Sequence, residues 1–102
     1  MIFIASIEVA PLSDSQMASR SAIGGFVYCF VPAETQTSAK RMLRDALIED
    51  KYILVNLEFI KEYEGFTWEN QEDQIEYDRL AKRAALSNAI VYGTFYTWKK
   101  HS

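Results

Sequence analysis

Residues 26–31 read Phe26-Val27-Tyr28-Cys29-Phe30-Val31, a run without a charged side chain that Pro32 closes. A strand with one wet face alternates apolar and polar residues, whereas a strand buried on both faces does not. The run therefore predicts a central strand, and the rest of the fold is read outward from it. Toward the N-terminus, Ile2 to Val9 predicts a second strand, with Phe3, Ala5, Ile7 and Val9 on one face and Ile4, Ser6 and Glu8 on the other. Between the two, residues 11–25 are small and polar and end in Gly24-Gly25. That composition predicts a long connection, the most mobile internal segment, with Ser13 and Gln16 spaced for a single capped turn.

Toward the C-terminus, Thr35 or Thr37 caps an expected helix whose apolar stripe is Ala39, Met42, Leu43, Ala46 and Leu47. Tyr52 to Tyr63 predicts a long strand with Ile53, Val55, Leu57 and Phe59 on one face and Leu54, Asn56, Glu58 and Ile60 on the other. Gly65 breaks it, and Phe66-Thr67-Trp68 suits a short return strand. Asn70 is the expected cap of a second helix, with Glu72 and Asp73 in its first turn and Lys82 and Arg83 in its last. Its stripe is Tyr77, Leu80, Ala81, Ala84 and Ala85, and Asn88 suits a left-handed end. A final strand spans Ala89 to Trp98, with Val91, Gly93 and Phe95 opposite Ile90, Tyr92, Thr94, Tyr96 and Trp98.

From the second strand onward this order is close to βαββαβ. It resembles the element order of a ferredoxin-like sandwich with an extra N-terminal strand. No residue motif supports the resemblance, so it bears on fold and not on function. The expected class is α+β: a two-layer sandwich with a mainly antiparallel sheet of four or five strands and two helices on one face.

The 102 residues suit one domain, 1–102, and aromatic residues at 14% need either a core or an interface to bury them. Cys29 stands alone, so no intrachain disulfide is expected. The apolar N-terminus lacks a basic leader, and no run reaches the length of a membrane helix, which together lead us to expect a cytoplasmic chain. A net charge of −3 lowers the nucleic-acid class, and Lys40, Arg41 and Arg44 lie beside acidic neighbours rather than along a basic track.

Catalytic chemistry finds little to work with. His101 is the sole histidine and next to last, which leaves a general base without fixed geometry. One histidine and one cysteine do not make a nitrogen/sulfur metal site, and Gly24-Gly25 precedes a strand rather than the helix a phosphate loop needs. No cofactor and no metal are expected. Carboxylates are abundant instead: Glu58, Glu62, Glu64, Glu69, Glu72, Asp73, Glu76 and Asp78 crowd a stretch whose only base before Arg79 is Lys61.

Such a stretch sets up a local field that attracts a cationic partner. The reading that follows is a small non-enzymatic interaction protein, with Glu69, Glu72, Asp73 and Glu76 as an acidic docking patch for a basic protein, in the manner of an immunity protein or inhibitor. Tyr28, Tyr92, Tyr96 and Trp98 are expected on the sheet face away from the helices, as a homodimer face. The alternative makes the same four residues an aromatic pocket for a small organic ligand, or for a cofactor-independent enzyme using Glu58.

Overall fold

The computed structural model describes residues 1–12 and 22–99. Strand β1 (Ile2–Pro11) pairs with β2 (Ala22–Pro32); helix α1 (Gln36–Glu49), strand β3 (Tyr52–Glu62), helix α2 (Gln71–Ser87) and the short strands β4 (Val91–Tyr92) and β5 (Tyr96–Lys99) follow. Every pairing is antiparallel, and the sheet runs β3-β1-β2-β4, with β5 also hydrogen-bonded to β2. Strand β2 is thus interior, as its unbroken apolar run requires. Both it and β1 extend into the segment read as a loop over 11–25; the rest of that segment, residues 13–21, lies outside the described residues.

The chain is α+β, but the ferredoxin-like arrangement is corrected in two respects. Phe66 to Trp68 form no strand. The helices also lie on opposite faces of the sheet, which makes three layers rather than two. Helix α1 presses Ala39, Leu43 and Leu47 onto Phe3, Ala5, Ile7, Val9, Val27, Cys29 and Val31. Helix α2 presses Tyr77, Leu80, Ala81 and Ala84 onto Ile4, Phe30 and Val91. The cause lies in β1 and β2, where Ile4 and Phe30 point away from Phe3, Ala5 and Cys29, yet all but Phe3 are fully buried. With both helices on one face, Ile4 and Phe30 would meet water, at about 1.5–3 kcal/mol each.

Strand β3 departs from simple alternation. Its pairing with β1 shifts register twice, so Leu57 opposes Ile7 and Leu54 opposes Val9, leaving Glu58 and Val55 as the extra residues. Two bulges therefore turn Leu54, Leu57 and Ile60, spaced by threes, toward α1. A similar break separates β4 from β5. Tyr92 opposes Cys29 and Tyr96 opposes Phe26, so four residues on one strand answer three on the other. The additional residue reverses side-chain parity: Tyr92 faces the α1 layer with Phe95, while Tyr96 and Trp98 face the opposite side. At this joint the Gly93 N–H donates to the Tyr28 carbonyl at 2.8 Å.

The helix ends follow their local chemistry. Thr35 caps α1 through a reciprocal box with Ser38, Asn70 caps α2 by accepting from the Asp73 amide, and Asn88 ends α2 in the left-handed region at φ 51°. Lys82 and Arg83 fall short of the last turn, because α2 continues to Ser87.

Candidate functional site

Much of the aromatic surplus is consumed inside the chain. Under α2, Trp68 stacks on Tyr77 with ring centroids 4.1 Å apart, and both stand edge-on to Tyr28. Phe30, Tyr63, Phe66 and Phe59 continue the cluster. Polar atoms tie the 63–70 segment to the helix: the Tyr63 hydroxyl donates to Asp78 at 2.6 Å and accepts from Trp68 Nε1 at 3.1 Å, while Gln74 accepts from the Trp68 amide at 2.9 Å. Burial first, and then the hydrogen bond to Asp78, push the Tyr63 hydroxyl up to about 12.

Helix α2 covers this face only as far as Tyr28. Register places Ser6 beside Tyr28, Glu8 beside Phe26, Tyr96 beside Phe26 and Trp98 beside Gly24, all on the α2 side of the sheet. Here Phe26 is 41% and Tyr96 58% exposed, an aromatic surface that no helix among the described residues covers. Trp98 lies against Gly24 and meets the Phe26 ring at 5.2 Å. A cavity of about 320 Å³ opens between Ser6, Phe26, Val27, Tyr28, Glu58 and Tyr96. Within it the buried Ser6 hydroxyl donates to Glu58 Oε1 at 2.9 Å. The bulge in β3 makes that bond possible by freeing Glu58 from the ladder.

The four aromatic residues expected as one patch are divided. Tyr96 and Trp98 do share the open half-face. Tyr28 is half-buried at its border under Trp68 and Tyr77. Tyr92 is on the other side of the sheet, packed with Phe95 against the α1 core. Its hydroxyl is buried without a geometrically sound hydrogen bond among the described residues, and burial, then Cys29 and Asp50, push its pKa well above the ordinary tyrosine value.

The acidic residues remain together at the start of α2, where two of them have local duties. Asp73 takes part in the cap with Asn70, and Glu76 pairs with Arg79 at 2.7 Å. Tyr77, one helical turn after Asp73, meets the Tyr28 ring at 5.5 Å on the border of the open half-face, and its hydroxyl is pushed up by burial first and then by the Tyr96 hydroxyl. Ser6, Glu8 and Phe26 went unread as site residues, although their parity with Tyr28 along the β1–β2 pair was the signal that could have found them.

Among the described residues, no three His, Cys, Asp or Glu side chains group to hold a metal ion, and no helix is long and apolar enough to cross a membrane. Cys29 is a buried free thiol, raised by burial far above its usual range, which makes it a core residue rather than a nucleophile. Residue 101, the only histidine position, lies outside the described residues. Comparison with protein families, with curated proteins and with solved structures finds no match.

Proposed function

We propose that the chain is a non-enzymatic, cytoplasmic interaction protein that docks a basic protein partner. The observation that carries this reading is the continuity of two surfaces. The open half-face of Phe26, Tyr96 and Trp98 borders Glu8 and Glu58 on the sheet, and at Tyr28 it meets Tyr77 of α2, the helix whose start carries Glu69, Glu72, Asp73 and Glu76. Exposed aromatic surface with a charged rim is the usual anatomy of a protein-binding site. The rim sets the sign of the partner and speeds encounter, and the aromatic centre supplies residence time.

The enzymatic alternative is supported by the cavity beside Glu58. It keeps Tyr28 and Tyr96 of the four aromatic residues beside Glu58 but not Tyr92, which stands on the far side of the sheet, and the Ser6 hydroxyl already donates to the carboxylate.

The test compares capture of partners from native lysate by the wild type and by the Glu69→Gln, Glu72→Gln, Asp73→Asn, Glu76→Gln variant. The variant should stay folded, because solvated surface charges contribute within about ±0.5 kcal/mol each. It should capture the basic partner more slowly and with a flatter salt dependence. Recovery of the same partner with unchanged salt sensitivity would leave the acidic turn as no more than a solvated face.

A further inference from the structure

We infer that the cavity between Phe26, Tyr28 and Tyr96 is a seat for a guanidinium, filled by an arginine side chain of the docked partner. This inference rests on the proposed docking function and names the chemistry of its central contact.

Three features of the cavity converge on that group. The first is its walls: three aromatic rings, two of them two residues apart on one strand face and so about 7 Å apart along the strand. Ring faces attract cations and stack on planar ones. The second is the carboxylate. Glu58 is the extra residue of a bulge, and the Ser6 hydroxyl, on a residue 7% exposed, holds its Oε1 at 2.9 Å. One donor leaves most of the acceptor sites of a carboxylate open, and a guanidinium fork is matched to two oxygens. The third is the charge of the surroundings: Glu8 stands on the same face two residues along β1 from Ser6, and among the described residues no lysine or arginine lines the cavity.

A neutral ligand offers the Glu58 carboxylate no opposite charge. A lysine ammonium satisfies the charge but neither stacks nor forks. The delocalised, weakly hydrated guanidinium does both, so the seat favours arginine over lysine.

The probe is the tripeptide acetyl-Gly-Arg-Gly-amide, titrated into the full chain and followed by amide chemical shifts, alongside the same peptide with lysine and with uncharged citrulline. The expected shifts centre on Ser6, Tyr28, Glu58 and Tyr96. Arginine should bind about fivefold more tightly than lysine, and citrulline should not saturate. Glu58→Gln keeps the shape and a partner for Ser6, and should weaken the arginine peptide about tenfold. Tyr96→Leu, at a position 58% exposed, should weaken it severalfold.

Equal binding of citrulline and arginine would overturn the seat. So would shifts confined to residues 69–76 with Glu58→Gln silent. If the peptide ignores the cavity while partner capture still depends on the acidic turn, the seat falls and the docking function stands. If the peptide binds as expected while partner capture ignores both Glu58→Gln and the acidic turn, the docking function falls and the seat stands.

Discussion

At the residue scale, Gly24 shows how one missing side chain shapes the open half-face. A Cβ at Gly24 would overlap the six-membered ring of the Trp98 indole, so the glycine is what lets the indole approach β2 this closely beside Phe26. Gly24→Ala should swing the indole out, at a cost of about 1–3 kcal/mol for the crowding. One indole N–H resonance should move toward solvent values, while that of Trp68, held by the Tyr63 hydroxyl, should stay in place. An unmoved Trp98 resonance with unchanged urea stability would refute this packing. Residue-scale reading of the sequence went furthest where chemistry is local. The cap at Asn70 and the left-handed Asn88 were visible, and Thr35 was one of two candidate caps, because each depends on neighbours within four residues. Glu58 was visible as a carboxylate but not as a partner of Ser6, because the two stand 52 positions apart and meet only in the folded sheet.

At the scale of elements, the decisive misreading was of strand faces. Counting by twos along Tyr52 to Glu62 assumes an unbroken ladder, and the bulges at Val55 and Glu58 break it. The same count along Ala89 to Trp98 misplaced Tyr92, because the 93–95 joint adds a residue that the neighbouring strand does not match. Bulges belong to pairs of strands, so a single strand's sequence does not display them. The placement of the helices, by contrast, was legible in principle: a β2 apolar on both faces already demands cover on both. Helix α2 and the segment before it make a pH prediction. The Tyr63 hydroxyl is raised from an ordinary 10.0 to about 12, so the folded chain holds this proton more firmly than the unfolded one. The stabilisation is therefore complete below about pH 10 and is lost as pH rises from there toward 12. Tyr63→Phe should lower stability at neutral pH and make its fall in alkali shallower, as chemical denaturation across that range would record. An equally steep alkaline fall in the variant would assign the effect to other tyrosines, such as Tyr77 and Tyr92, whose burial pushes them in the same direction.

At the scale of the whole molecule, the proposed docking function would set two kinds of association against each other on the aromatic half-face. In the absence of a partner, two copies are expected to pair through Phe26, Tyr96 and Trp98, the residues that give the homodimer reading its remaining surface. Pairing by a two-fold axis brings Glu8 and Glu58 of one copy toward their counterparts. Added salt screens that repulsion and should tighten the dimer, whereas it should loosen capture of a basic partner. Sedimentation equilibrium at low and high salt reads the first effect, and a monomer at both would remove the dimer reading. The three-layer build has a further consequence, for how such a chain can change over generations. The β1–β2 pair is a party wall: α1 leans on one side, and α2 and the open half-face occupy the other. On the proposed docking reading, substitutions at Phe26, Glu58 or Tyr96 would retune what is bound while Leu43 and Leu47 keep the far side closed. Recognition and foldedness would then be held in separate rooms, and selection could refurnish one without disturbing the other.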